Sequence, residues 1–211
     1  MVPGLDGLLR DGHHGAGAAD PVRQLRGRLV SLHEGHLHGS YGHEGAPHGC
    51  RKMGRGVGCL SQWWPSPFVV GDVRFATAEH YMMWRKAMLF GDEEVASQVL
   101  AARHPKQAKD LGRRVRHFDE AAWVAHRREI VVAGNVAKFG QHPDIGRYLT
   151  GTGARVLVEA SPLDRVWGIG LAADDPAIEK PRGWRGLNLL GFALADVRAQ
   201  LGSRSGSPAA R

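Results

Sequence analysis

The sequence has little cysteine, no long apolar run and none of the common cofactor signatures, and each absence narrows what the chain can do. Cys50 and Cys59 are its two cysteines, and they form no CxxC spacing. Neither a disulfide framework nor a zinc cage is indicated, and a cytoplasmic protein is the plain expectation. No apolar run approaches the ~20 residues that a membrane-spanning helix needs, so no membrane partner is expected. The N-terminal MVPGLDGLLRDGHHG holds no apolar segment of signal-peptide type, and export is not expected. There is no P-loop, no GxGxxG opening a βαβ unit and no HExxH. No Ser–His–Asp triad can be assembled with any specificity. The expectation is chemistry without a cofactor and without a metal.

What is present suffices for one domain. The chain has 211 residues, of which 43% are hydrophobic, enough for a real core. A net charge of +7 favours polyanionic partners such as nucleotides, phosphates or nucleic acid. An Arg-rich composition also follows from genomic base bias, so charge alone does not identify the partner. Oligomeric state leaves no trace in the sequence.

Residues 1–58 are rich in Gly and His and hold seven of the twelve histidines. They show little periodicity apart from a short piece near Pro21 to Leu32. The string HEGHLHGSYGHEGAPHGC has imidazoles enough for a metal but no rigid frame to hold them, so a disordered segment is expected. Residues 59–201 form the domain, and 202–211 read as a flexible tail.

Within the domain, SQWWPSPFVVGDVRFAT reads as two short strands joined by a Gly71-Asp72 turn. Thr77 is placed to cap a helix that runs to about Phe90 and ends at Gly91. Asp92 caps a second helix, Pro105 begins a third, and Asp119 opens the longest. The longest carries Trp123, Arg127, Ile130, Val131, Gly134, Ala137 and Lys138 on one stripe. A further short helix starts near Pro143. RVLVEA, 155–160, has the composition of a buried strand. A loop over 168–187 precedes a terminal amphipathic helix capped by Asn188. The fold class is α+β, helix-rich, a single domain with a small sheet.

Two stretches could carry chemistry. In TAEHYMMWRKA, 77–87, Glu79 and Lys86 lie seven residues apart, close to two helical turns, so they share a face. Their backbones are separated by about 10 Å along the axis, a span suited to two long side chains closing on one ligand, with Met83 as an apolar floor. The plainer alternative is two solvated charges at the edge of a core helix. In SPLDRVWGIG, 161–170, Asp164 precedes Trp167 and Gly168 directly after the strand. A carboxylate there can take ribose hydroxyls while the ring stacks; equally, Asp164 can close an Asx turn and Trp167 can fill the core. Lys138 and Arg127 either reach a phosphate or are solvated. Lys180, Arg182 and Arg185 make the long loop either a phosphate lid or ordinary surface.

Taken in order, CLSQWWPSPF, TAEHYMMWRKA, HPKQAKDLGRRVR, AKFGQHPDIGRYLTGTG, SPLDRVWGIG and GLNLLGFALADVR resemble the NADAR family, the YbiA-like N-glycosidases. The stretches cover almost everything from Cys59 to Leu201. The resemblance implies a YbiA-like fold and an enzyme that hydrolyses N-glycosidic bonds of ribosylamine-type compounds. Two substrate groups go with it: early phosphoribosylamino-pyrimidine intermediates of riboflavin biosynthesis, and ADP-ribose attached to guanine in nucleic acid. The implied partner is thus a small phosphoribosyl or ADP-ribosyl substrate, or ADP-ribosylated nucleic acid. By motif match the catalytic set is Glu79, Lys86 and Asp164. The substrate-binding set is Trp123, Trp167, Gly168, Asn188, His80 and Tyr81. A non-catalytic ADP-ribose- or NAD-binding module is the alternative of another class; it could dispense with Glu79 or Lys86, and both are present. The sequence departs from the family upstream of CLSQWWPSPF, where an aromatic-rich first strand is expected. That strand is either displaced to the Pro21–Leu32 piece or missing.

Overall fold

The computed structural model describes residues 29–32 and 57–205. The His-rich string and residues 206–211 lie outside that range. Leu29–Leu32 falls inside the segment expected to be disordered and is instead a strand, β1. Val30 and Leu32 alternate inward and are buried, a half-buried strand pattern too short to stand out in the sequence. A 3-10 turn over Val57–Leu60 opens the next segment. The hairpin follows, β2 Phe68–Val70 and β3 Val73–Phe75, antiparallel with Phe68 opposite Phe75. Gly71 turns the corner at φ 58, a conformation that favours glycine.

Three of the helices start at the caps expected of them, Thr77, Asp92 and Asp119. Helix α1, Ala78–Leu89, begins at Thr77, whose hydroxyl accepts the His80 N–H. Helix α2, Glu93–Ala101, begins at Asp92, which accepts from Val95 N–H. Asp92 is buried and also takes the backbone N–H, Nε and Nη2 of Arg116. That guanidinium holds its carboxyl well below the usual carboxylate range. Helix α3, Pro105–Gly112, has proline at its first position. Helix α4, Glu120–Gln141, starts at Asp119 and runs 22 residues, about 33 Å. Helix α5 is Pro143–Thr150 and helix α6 is Leu189–Ser205, so the last helix extends four residues into the expected tail.

The core lies between α4 and the elements laid on it, α1, α6 and β2. The buried face of α4 carries Trp123, Ile130, Val131, Gly134, Asn135, Lys138 and Phe139. Gly134 is glycine because a Cβ there would run into the Tyr81 ring. Lys138 overturns both expectations for it, since it neither reaches a phosphate site nor meets solvent. It is 0% exposed, and its ammonium donates to the carbonyls of Cys59 (3.0 Å) and Ser61 (2.8 Å). Burial pushes its amine down to about 7.

Strand β4, Val156–Glu159, pairs in parallel with β1, Leu29 opposite Val156 and Leu32 opposite Glu159. A strand thus forms at the end of the Pro21–Leu32 piece and pairs with β4. On the other side of β4, Asn188 substitutes for a neighbouring strand. Its Nδ2 donates to Leu157 O (2.9 Å) and its Oδ1 accepts from Glu159 N–H (3.0 Å). Asn188 precedes α6, but its side chain does not cap that helix, contrary to expectation; it is held at φ 52 to face the strand. The long loop after β4 is no open lid. Ile169, Leu171, Ala177, Ile178 and Trp184 pack with Val158 into a second small core.

Candidate active site

One cavity of about 160 Å³ brings together five of the nine residues in the expected catalytic and binding sets. Helix α1 supplies Glu79, Met83 and Lys86, the three positions read as one face, with Met82 beside them. Trp123 comes from the first turn of α4, and Asp164 and Trp167 from the turn after β4. Gly112 carries the neighbouring wall of α3 against this floor. A Cβ at Gly112 would collide with the Met83 sulfur, so the two helices meet through backbone and thioether.

Glu79 is 2% exposed and stands in the first turn of α1, where the helix dipole favours a carboxylate. Its own N–H donates to the Gln62 carbonyl at 3.0 Å. Gln62 is in turn clamped by Asn135, amide to amide, at 3.1 and 3.4 Å. Lys86 is half-buried and donates to Gly112 O at 2.9 Å. Its ammonium lies 4.1 Å from the Phe118 ring centroid and 5.6 Å from that of Trp123. Burial lowers its pKa, and the nearby Glu120 carboxylate partly restores it. Asp164 closes the turn that its plainer reading called for. Its Oδ1 accepts from Val166 N–H (2.9 Å) and Trp167 N–H (2.7 Å), closing the Asx turn, while the residue also lines the cavity.

Four residues of the expected binding set do not reach the cavity wall. His80 and Tyr81 follow Glu79 in sequence but point elsewhere, because each helical step turns about 100°. His80 sits between the Thr77 hydroxyl (2.8 Å) and Ala102 O (3.1 Å), with the ring proton on the nitrogen that faces the carbonyl. Tyr81 packs edge-on against Phe75, ring centroids 5.0 Å apart. At Gly168 a Cβ would lie 2.9 Å from the carbonyls of Asp164 and Glu159, and its own carbonyl accepts from Asn188 N–H. Gly168 and Asn188 hold the turn and strand in place instead of touching the cavity. Lys180, Arg182 and Arg185 are likewise absent from its walls.

The sequence reading passed over Gln62, Glu159, Lys109 and Arg113, all of which line the cavity. Glu159 had a signal: it is a carboxylate at the end of an otherwise apolar strand, and it is 2% exposed. Among the described residues no group of three or more His, Cys, Asp or Glu is arranged to hold a metal ion. No helix among them is long and apolar enough to cross a membrane.

The NADAR domain family model matches residues 50–202. N-glycosidase R617 of Acanthamoeba polyphaga mimivirus is 40% identical over 158 residues, covering 72% of this chain and 93% of that protein. N-glycosidase Npun_R5314 of Nostoc punctiforme is 31% identical over 150 residues, covering 71% and 89%. The NMR structure of the E. coli protein YbiA shares the fold, with a TM-score of 0.61 at 23% identity over 91% of this chain and 99% of that one. The chain belongs to the NADAR family, a family of N-glycosidases, enzymes that hydrolyse N-glycosyl bonds.

Proposed function

We propose that the chain hydrolyses the N-glycosidic bond of ribosylamine-type substrates, with the early phosphoribosylamino-pyrimidine intermediates of riboflavin biosynthesis as the leading substrate class. The observation that carries this reading is the convergence of Glu79, Lys86 and Asp164 on one cavity from two distant parts of the chain. Breaking the bond builds positive charge on the anomeric carbon. Glu79, nearly excluded from solvent, stabilises that charge or takes a proton from the attacking water, and low local dielectric strengthens its field. Water delivers its oxygen to the anomeric carbon, and the departing nitrogen gains a proton. Two roles are open to the Lys86 amine: it donates that proton, or it attacks C1 of the ring-opened sugar, expelling the departing amine and forming an imine that water then hydrolyses. Asp164 keeps one oxygen for its turn and offers the other to ribose hydroxyls, and Trp167 stacks on the substrate.

A second reading, removal of ADP-ribose from guanine in nucleic acid, is favoured by the basic run beside the cavity. Residues 103–116 hold Arg103, Lys106, Lys109, Arg113, Arg114 and Arg116 against a single Asp110. The experiment supplies both substrates, a phosphoribosylamino-pyrimidine and an oligonucleotide carrying ADP-ribosylated guanine, with Lys86→Ala as control. Lys86-dependent release of sugar phosphate supports the first reading, and Lys86-dependent release of ADP-ribose the second. A folded protein that cleaves neither is a binding module. Borohydride added during turnover separates the two lysine roles, since it traps an imine at Lys86 and leaves a simple proton donor untouched.

A further inference from the structure

The cavity is smaller than the substrates it has to serve. Its volume of about 160 Å³ lies below the roughly 300 Å³ at which pockets for whole ligands begin. A space of that size suits a sugar ring, and a charged phosphate on that sugar needs cations beside it. Two cations line the cavity from α3, Lys109 and Arg113. They are four residues apart, Arg113 being the residue that closes the helix, so their side chains rise from neighbouring positions on one face. The contact of Gly112 with Met83 fixes that face against the floor that carries Glu79 and Lys86.

Both cations have capacity to spare. The Lys109 ammonium lies 5.6 Å from the Trp63 ring centroid, and among the described residues its partners include no carboxylate within salt-bridge distance. Arg113 gives one guanidinium nitrogen to Asp110 at 3.3 Å, in a pair exposed on both sides. Such pairs are weak and yield readily to a better anion. A fork and a point charge side by side suit a phosphate ester, which carries close to two negative charges at neutral pH.

We propose that Lys109 and Arg113 form a phosphate subsite, which grips the phosphate ester on the terminal carbon of the sugar while the anomeric carbon sits between Glu79 and Lys86. The assignment rests on the N-glycosidase reading for its sugar, but its binding half can be measured alone. Ribose 5-phosphate and ribose are titrated into the wild-type protein and into Lys109→Ala, Arg113→Ala and Lys109→Arg. Cleavage of a phosphoribosylamino-pyrimidine and of its dephosphorylated counterpart is followed in parallel. The wild type is expected to prefer ribose 5-phosphate by about tenfold or more, as charge-assisted hydrogen bonds to phosphate allow. Each alanine should shrink that preference several-fold, with Lys109→Arg restoring most of it. In kinetics the change should fall on KM, with the preference for the phosphorylated substrate shrinking. ADP-ribose binding more tightly than ribose 5-phosphate would support the subsite and identify its anion as a diphosphate.

Equal binding of ribose and ribose 5-phosphate by the wild type overturns the proposal, as does an undiminished preference in both alanine variants. Cleavage that ignores the phosphate would remove the subsite and leave the glycosidase reading intact. A phosphate preference lost in the variants, in a protein that cleaves nothing, would keep the subsite and remove the glycosidase reading.

Discussion

At the scale of single residues, Glu79 and its neighbours show how much a step along a helix matters. Glu79, Met83 and Lys86 lie on the cavity, whereas His80 and Tyr81, beside them in sequence, serve a helix cap and an aromatic cluster. Glu79→Gln changes one oxygen into an amide and leaves volume almost unchanged. It is expected to lower kcat by about 10²- to 10³-fold, the range seen when a single electrostatic stabiliser is removed. Substrate affinity and the thermal midpoint should stay close to wild type, so steady-state kinetics and a melting curve on one preparation check it. Near-normal turnover would take Glu79 out of the chemistry. The face shared by Glu79 and Lys86 was legible because helical periodicity is local. Glu159, Lys109 and Arg113 were harder to read, since their place on the cavity depends on how three separate elements meet. Asp164 closes its turn through one oxygen and lines the cavity as well, so its turn was legible from the local sequence while its place on the cavity was not.

At the scale of elements, the helix starts were readable and the contacts between helices were not. Thr77, Asp92 and Asp119 each satisfy an N–H within three residues of their own position, so the signal sits entirely in the local sequence. The glycines at 112 and 134 carry no such signal. Their reason is the side chain of another helix, Met83 for the first and Tyr81 for the second. Gly112→Ala and Gly134→Ala should each destabilise the fold by about 1–3 kcal/mol, as overpacking does. The two variants should part in kinetics. Gly112→Ala displaces the wall that bears Lys109 and Arg113 and should raise KM, while Gly134→Ala acts away from the cavity and should show its effect in denaturant melts alone.

At the scale of the molecule, β1 ties the N-terminal segment to the strand that ends in Glu159. Removing residues 1–50 strips β4 of its hydrogen-bonded partner and uncovers Leu157 and Val158, so that variant should unfold or aggregate. A chain beginning at residue 28 keeps the strand and should fold, as circular dichroism would report. The buried Lys138 adds a pH dependence. Its amine is held near 7 in the fold against an ordinary value of 10.5. Between those values the unfolded chain keeps a proton that the folded chain has given up, so stability rises with pH across that window. Tyr81 opposes it at the top of the window. Burial raises the phenol beyond its ordinary 10.0, so above that value the unfolded chain ionises first and the rise slackens. Urea melts at pH 7, 8, 9 and 10.5 should trace a rise that slackens at the last step, and Lys138→Met should flatten it. Neither the strand pairing nor the burial of Lys138 could be read from the sequence, since both join positions roughly 80 to 130 residues apart.

That pairing also sets a timetable. Leu32 leaves the ribosome long before Glu159, the residue opposite it, exists; 159 − 32 gives 127 intervening steps. At the roughly 5–20 residues per second of protein synthesis, the early strand waits about 6–25 s for its mate. During that wait the five helices between the two strands can assemble as each is made. The walls that bear Glu159, Asp164 and Leu190 are thus the late pieces of the cavity, and the nascent protein cannot acquire a complete reaction centre until translation is nearly finished.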